Sequence, residues 1–318
     1  MKVLITGSSG LIARMLIEHL LTIDADIIGI DIKESSAFQN EKRFRFYECC
    51  ITDREKLKSI FADEQPTNVV HFACSFNKVR DRKREHGVDI TGSDNIMEAC
   101  ISTPSVKQLI FSSSTAAYGG KKENPLWIKE TVPLDPKSYR YGMNKKIVEE
   151  KYTNMKVRPD LKIVLLRFCL VVGPTFDKPK SAVSILLKFP FLPLFTRDTK
   201  LQFLHSYDLA SVMELILKDR EISGIYNLVP DSYTIVKEIV PDKRFLRIPF
   251  FVIKGFLWVC WHLKIMNIQP ASGINSFYPT IVDSSRIISR YGYKFRYSSR
   301  EAFLDTKMRN RIPAEVWF

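Results

Sequence analysis

Thr6-Gly7-Ser8-Ser9-Gly10-Leu11-Ile12-Ala13 is the stretch that decides the fold. Lys2 to Thr6, just before it, reads as a short apolar strand, and Leu11 to Leu21, just after it, carries an apolar helical face. Gly7 permits a tight turn. Gly10 lets the backbone approach a pyrophosphate, and the helix N-terminus offers unpaired N–H groups to its oxygens. Ala13 is small enough for close helix–sheet packing. Asp31 ends a second strand, Ala25 to Asp31, where a carboxylate accepts from both ribose hydroxyls of NAD and repels a 2′-phosphate. Lys33 and Arg43 lie close in sequence and would soften that preference toward NADP. Strand, turn, helix and acid together predict dinucleotide binding, set against a glycine turn made for packing alone.

Outward from this unit, strands and helices alternate. Arg43 to Tyr47 is a strand, followed by a helix near Asp53 to Ala62. Asn68 to Phe72 precedes a helix at Val88 to Cys100, and Gln108 to Ser112 precedes one that holds Lys145 to Tyr152. Ile163 to Phe168 is a further strand. The pattern predicts an α/β fold with a doubly wound parallel sheet covered on both faces. After Gly173-Pro174, proline, phenylalanine and lysine dominate Phe176 to Lys200. A helix at Tyr207 to Leu217 and a strand at Ile225 to Leu228 follow. We expect a cofactor domain over 1–173, to which later segments return, and a smaller C-terminal lobe mostly over 174–318.

Of the 318 residues, 45% are hydrophobic and 26% charged, which excludes wholesale disorder. The net charge of +13 favours polyanions, nucleotide phosphates or anionic membrane surfaces without choosing among them. None of the six cysteines forms a CxxC pair, so they read as reduced thiols, and neither disulfides nor a metal site is expected. The run MKVLITGSSG enters a strand and a glycine turn at once, the pattern of a chain without a signal peptide. No uncharged apolar run reaches the ~18 residues of a spanning helix. A cytoplasmic protein is expected.

Tyr141 and Lys145 are four apart in a helical segment and share a face. A lysine ammonium beside a phenol, with a bound nicotinamide, lowers the phenol's pKa. The tyrosine then moves the proton at a carbinol oxygen while hydride passes to or from the cofactor. Ser114 closes the run Phe111-Ser112-Ser113-Ser114, where a hydroxyl can orient the substrate oxygen.

With these residues in place the chain resembles the extended short-chain dehydrogenase/reductase family, in its NAD-dependent epimerase/dehydratase branch. The resemblance spans residues 2–305 through TGSSGLIA (6–13), VVHFA (69–73), VDITGSDN (88–95), FSSSTAAYG (111–119), ETVPLDPKSYRYGMNK (130–145), LRFCLVVGP (166–174), QFLHSYDLA (202–210) and GIYNL (224–228). It implies a Rossmann domain with a small substrate-binding lobe and a catalytic set that maps onto Ser114, Tyr141 and Lys145. It implies NAD held by Gly7, Ser9, Gly10, Leu11, Ile12, Asp31, Ile51, Phe72, Ala73, Tyr141 and Lys145. It further implies a homodimer through the helices near Val88–Cys100 and Tyr141–Tyr152.

The chain departs from the family pattern at several points. Cys50 replaces the acid that contacts the adenine amino group, leaving Ile51 to pack the ring. Asp89 stands where an asparagine is usual. Leu170 replaces an asparagine that helps nucleotide-sugar enzymes hold the diphosphate, and leucine cannot donate to a phosphate oxygen. Ser114-Thr115-Ala116 lacks the acid–base pair of sugar dehydratases.

Lys78 to Arg84 is a basic run, read as loop surface or as a collector of anionic ligands. No signature of specific nucleic-acid reading accompanies it. Lys178, Lys180 and Arg197 fall in the segment the family places over its substrate, and His205 with Asp208 reads as structural support. Phe250 to Leu263 is nearly all apolar, fit for core packing or for a lipid-facing or hydrophobic-substrate surface, so peripheral membrane contact stays open.

Two reactions use this set of residues. One is redox-neutral epimerisation of a nucleotide-activated sugar through a transient keto intermediate. The other is net oxidation or reduction of an apolar, sterol-like or lipid alcohol or ketone. A third class, a nucleotide-sensing subunit without turnover, sits poorly with a complete Ser–Tyr–Lys set.

Overall fold

Val3 and Ile5 project to one face of β1 (Lys2–Thr6) and Leu4 to the other, and all three are fully buried. A strand buried on both faces belongs in the middle of a parallel sheet. The computed structural model describes residues 1–75, 81–137, 139–174, 191–194, 199–263, 278 and 280–309. In chain order β1 is followed by α1 (Leu11–Leu21), β2 (Asp26–Asp31), β3 (Phe44–Glu48), α2 (Arg54–Glu64), β4 (Asn68–His71), α3 (Arg82–His86) and α4 (Gly92–Ser102). Then come β5 (Gln108–Ser114), α5 (Arg140–Asn154), β6 (Lys162–Phe168), β7 (Leu170–Val172), β8 (Phe191–Leu194), β9 (Lys200–Leu201) and β10 (Phe203–His205). The chain continues through α6 (Ser206–Lys218), β11 (Gly224–Leu228), β12 (Thr234–Ile235), α7 (Val236–Ile239), β13 (Arg244–Arg247), α8 (Phe250–His262), α9 (Ser285–Tyr291) and α10 (Ser299–Arg309).

Seven parallel strands form the main sheet in the order β3-β2-β1-β4-β5-β6-β11. Apolar residues of α1 and α6 cover one face, and those of α2, α4 and α5 the other. This is the doubly wound Rossmann-like sheet expected from the alternation of elements. Three two-stranded pairs, β7–β10, β9–β12 and β8–β13, are built from chain after β6, while β11 returns to the edge of the main sheet.

The structure corrects the sequence reading between β4 and β5. Helix begins at Arg82, ahead of the expected Val88, because the Asp81 carboxylate accepts from Arg84 N at 3.0 Å and caps it. A cap inside a basic run is easily passed over. A wide π-type turn over Gly87–Thr91 then joins α3 to α4. Lys78, Lys178, Lys180 and Arg197 lie outside the described residues.

His205 and Asp208 play the structural part expected of them, holding the segment from Tyr293 to Asp305. Asp208, fully buried, accepts from Tyr293 OH at 2.7 Å and Arg296 N at 2.8 Å. His205 stacks on Tyr297 at 3.8 Å between ring centroids and bonds Asp305 at 3.2 Å. Helix α8 departs from the core-packing alternative. Phe251 is 74% exposed and Phe256 60%, and among its described side chains only Cys260 is fully withdrawn from solvent.

Candidate active site

The strand order reverses between β1 and β4, which opens a crevice at the C-terminal edge of the sheet. The glycine turn leaves β1 at this crevice. Gly7 has φ +71°, and a Cβ there would stand 2.8 Å from Ala73 N, so both conformation and space demand glycine. Gly10 is the N-cap of α1. Among the described residues no side chain caps this helix, and its first turn carries no acid. Its leading amides are therefore left for an anion.

Asp31 braces the turn from the next strand. Its Oδ2 accepts from Ser9 N at 3.0 Å and its Oδ1 from Ile32 N at 2.7 Å. Each oxygen keeps a lone pair for a ribose hydroxyl. Arg43 sits at the opposite end of the sheet, because it precedes β3 whereas Asp31 ends β2. Its guanidinium donates to Ile23 O at 2.6 Å and to Leu21 O, closing the end of α1. Arg43 is thus not available to a 2′-phosphate, a correction to its sequence reading. An uncapped helix start, a turn with no room for a Cβ and an acid at the ribose position all fit a dinucleotide without a 2′-phosphate. Leu11 and Ile12 open α1, and Phe72 and Ala73 follow β4 beside the turn. Ile51 is buried against Gly92, and the Cys50 thiol lies 3.0 Å from the Thr52 hydroxyl.

Beneath the turn, the Thr6 hydroxyl bonds His71 Nδ1 at 2.7 Å, and His71 Nε2 bonds the Ser93 hydroxyl at 2.9 Å. Complete burial, reinforced by Lys145, pushes the His71 imidazole down to about 3, so it is neutral at physiological pH.

Ser114 ends β5, and its hydroxyl accepts from Ala116 N at 3.2 Å and bonds the Tyr141 phenol. Tyr141 and Lys145 lie one turn apart on α5. Lys145, only 5% exposed, donates from Nζ to Ser112 O at 2.5 Å, and its nitrogen lies 5.7 Å from the centre of the Tyr141 ring. α5 lies against the Ser114 turn because position 142 is glycine: a Cβ there would meet Ala116 O at 2.5 Å. Burial pushes the Tyr141 phenol well above its ordinary 10, Cys74 and Tyr139 add to the shift, and the Ser114 bond opposes it. In the chain alone burial sets the direction, opposite to the lowering expected once a nicotinamide is bound beside Lys145. The resting phenol is a proton donor.

Two clusters escaped the sequence reading. Glu149 continues the Tyr141–Lys145 face by one more turn and pairs with Arg167 of β6, with Nη2 to Oε2 at 2.6 Å; both side chains are buried. Ser113 also donates to Glu149, and Arg167 donates to Tyr118 OH at 2.8 Å. The four-residue period of α5 was the available signal. The second cluster centres on Asp89, which accepts from Ser75 N at 2.7 Å, Ser75 Oγ at 2.8 Å and Asn144 Nδ2 at 2.9 Å. Accepting three hydrogen bonds from Ser75 and Asn144, an aspartate suits this position where asparagine is usual.

The model of the NAD dependent epimerase/dehydratase family matches residues 3–228, well over half of the chain. The chain belongs to that family. An uncharacterized protein of Mycobacterium tuberculosis is 25% identical over 226 residues, 69% of this chain and 58% of that one. UDP-glucose 4-epimerase of Lacticaseibacillus casei is 29% identical over 181 residues, 56% of this chain and 54% of the enzyme. The chain thus spans a little over half the length of the curated relatives it matches. Among solved structures, Bordetella bronchiseptica WbmG in complex with NAD superposes with TM-score 0.79 at 21% identity, covering 98% of this chain and 94% of that one. UDP-glucose 4-epimerase of Thermotoga maritima with UDP-glucose gives 0.77 at 22%, covering 98% and 99%. At such identity these two show a shared fold. Within this epimerase/dehydratase fold Leu170 opens β7 and is 38% exposed.

Proposed function

We propose that this protein epimerises a nucleotide-activated sugar with NAD as a retained cofactor. The juxtaposition of Ser114, Tyr141 and Lys145 with an uncapped, acid-braced glycine turn at one crevice carries the reading. Relatives named UDP-glucose 4-epimerases, and structural neighbours solved with NAD and UDP-sugars, support it. NAD, when bound, supplies a reversible hydride acceptor. Gly7, Ser9, Gly10, Leu11 and Ile12 would hold its pyrophosphate, Asp31 its ribose, and Ile51, Phe72 and Ala73 would line its path.

Tyr141 takes the proton of one ring hydroxyl and returns it after the keto sugar has presented its other face. Ser114 orients that oxygen by hydrogen bonding. Lys145 places its positive charge beside the phenol and, with a cationic nicotinamide, offsets the burial that keeps it protonated. Residues before 173 would supply the cofactor side and those after it most of the substrate side. The half-exposed Met143 and Ile147, four apart on α5, support a homodimer through α4 and α5.

Exposed Leu170 favours a second reading, net oxidation or reduction of an apolar alcohol or ketone. One experiment separates the two: an NMR time course with catalytic NAD and UDP-, GDP- and dTDP-sugars. Epimer formation without net NADH is expected, slowed about 10²–10⁴-fold in Tyr141→Phe. Undiminished turnover by that variant refutes the mechanism, and an unchanged spectrum with every sugar moves the assignment to the reductase.

A further inference from the structure

We propose that α8 docks this protein onto an anionic lipid surface, lying in the interface with its apolar side in the acyl boundary. The helix has 13 residues and presents Phe251, Val252, Phe256, Trp258, Val259 and Leu263 of its C-cap to solvent. On a helical projection these fall within one broad arc, while Leu257, Cys260 and Trp261, the more withdrawn side chains, fall opposite. An exposed apolar arc of this extent marks an interaction surface.

Charge selects the occupant. From Lys243 to Val282 the sequence has no Asp or Glu but five Lys or Arg: Lys243, Arg244, Arg247, Lys254 and Lys264. Arg244 and Lys254 are exposed. A second copy of the same surface would set Arg244 and Lys254 against their own like charges across a two-fold axis, whereas anionic headgroups neutralise them. At 1.5 Å per residue the helix is about 20 Å long, short of the ~30 Å hydrocarbon core, so it lies on a bilayer and does not cross it. Among the described residues no helix is long and apolar enough to cross a membrane. Trp258 and His262, with rings 4.0 Å apart, put an amphipathic indole at the level where headgroups meet chains.

The test is flotation of the full chain with vesicles of phosphatidylcholine alone or mixed with phosphatidylglycerol. Partitioning onto the mixed vesicles should exceed that onto the neutral ones by at least about ten-fold, and the double variant Phe251→Asp, Phe256→Asp should lose at least as much. Circular dichroism checks that the variant is folded. Should it not fold, wild type still decides: brominated acyl chains should quench its tryptophan fluorescence, and Trp258→Phe should remove most of that quenching. Failure to float with anionic vesicles overturns the proposal. So does equal binding to both compositions, undiminished binding of a folded double variant, or quenching indifferent to Trp258. If the double variant instead converts a wild-type dimer to monomer and no vesicle binding is seen, the face belongs to a second copy.

Discussion

Helices α1 and α8 are of similar length and both strongly apolar, yet their apolar residues go to opposite places. α1 buries Leu11, Ala13, Met15, Leu16, Ile17 and Leu20, leaving Glu18 exposed and turning His19 to Glu214 of α6. α8 buries Cys260 and leaves two phenylalanines and a tryptophan in solvent. The difference lies in patterning. α1 interleaves polar residues on one side, so its apolar stripe has a direction. α8 has little polar residue to interleave, and its sequence alone names no inner face. Hydrophobicity measures what a helix wants to bury, and the polar interruptions say where.

If the contrast is one of commitment to the core, the largest loss falls on the most committed group. Glu149→Ala leaves Arg167 charged and buried, and should cost about 3–5 kcal/mol in urea unfolding. A loss below 1 kcal/mol, on the order expected of an exposed pair, would show that water reaches this network. Leu16→Ala, in the middle of the α1 stripe, should cost about 2–5 kcal/mol. The His71 imidazole tests the same core by pH. Its folded value of about 3 lies below the ordinary 6.5, so the unfolded chain takes up the proton first. Its contribution is complete above pH 6.5 and is lost on acidification toward pH 3, at up to roughly 1.4 kcal/mol per pH unit. Urea titrations between pH 4 and 7 should show this slope, and it should flatten in His71→Asn. Phe256→Ser on α8 should change stability by less than about 0.5 kcal/mol. A cost like that of Leu16→Ala would erase the distinction between the two helices.

Much of the sheet was legible because each local signal agreed with the next. The turn at Gly7, the acid at Asp31 and the four-residue spacing of Tyr141 and Lys145 are short-range patterns, and they place the candidate site at one edge of the sheet. What was not legible is long-range. Arg43 is near Asp31 in sequence but at the other end of the sheet, since a strand separates beginning from end. Glu149 and Arg167 meet only because α5 crosses β6, and neither residue alone announces a partner. Asp81 was hidden among the basic residues it caps. The exposure of α8 depends on what its neighbours leave uncovered, which no property of its own thirteen residues records.

One face of α5 carries Tyr141, Lys145 and Glu149 in succession, the proposed proton-transfer pair at the near end and anchorage at the far end. Under the proposed reaction the helix acts as a ruler: shortening, lengthening or rotating it would disturb proton transfer and the Glu149–Arg167 anchor together. Drift toward a new substrate must therefore run through elements free of that double duty. Exposed Leu170, at the start of β7, is such a place: under the proposed reaction its side chain can be exchanged while the proton-transfer pair stays in register. A library that randomised position 170 and left α5 intact would explore specificity from a fixed proposed reaction.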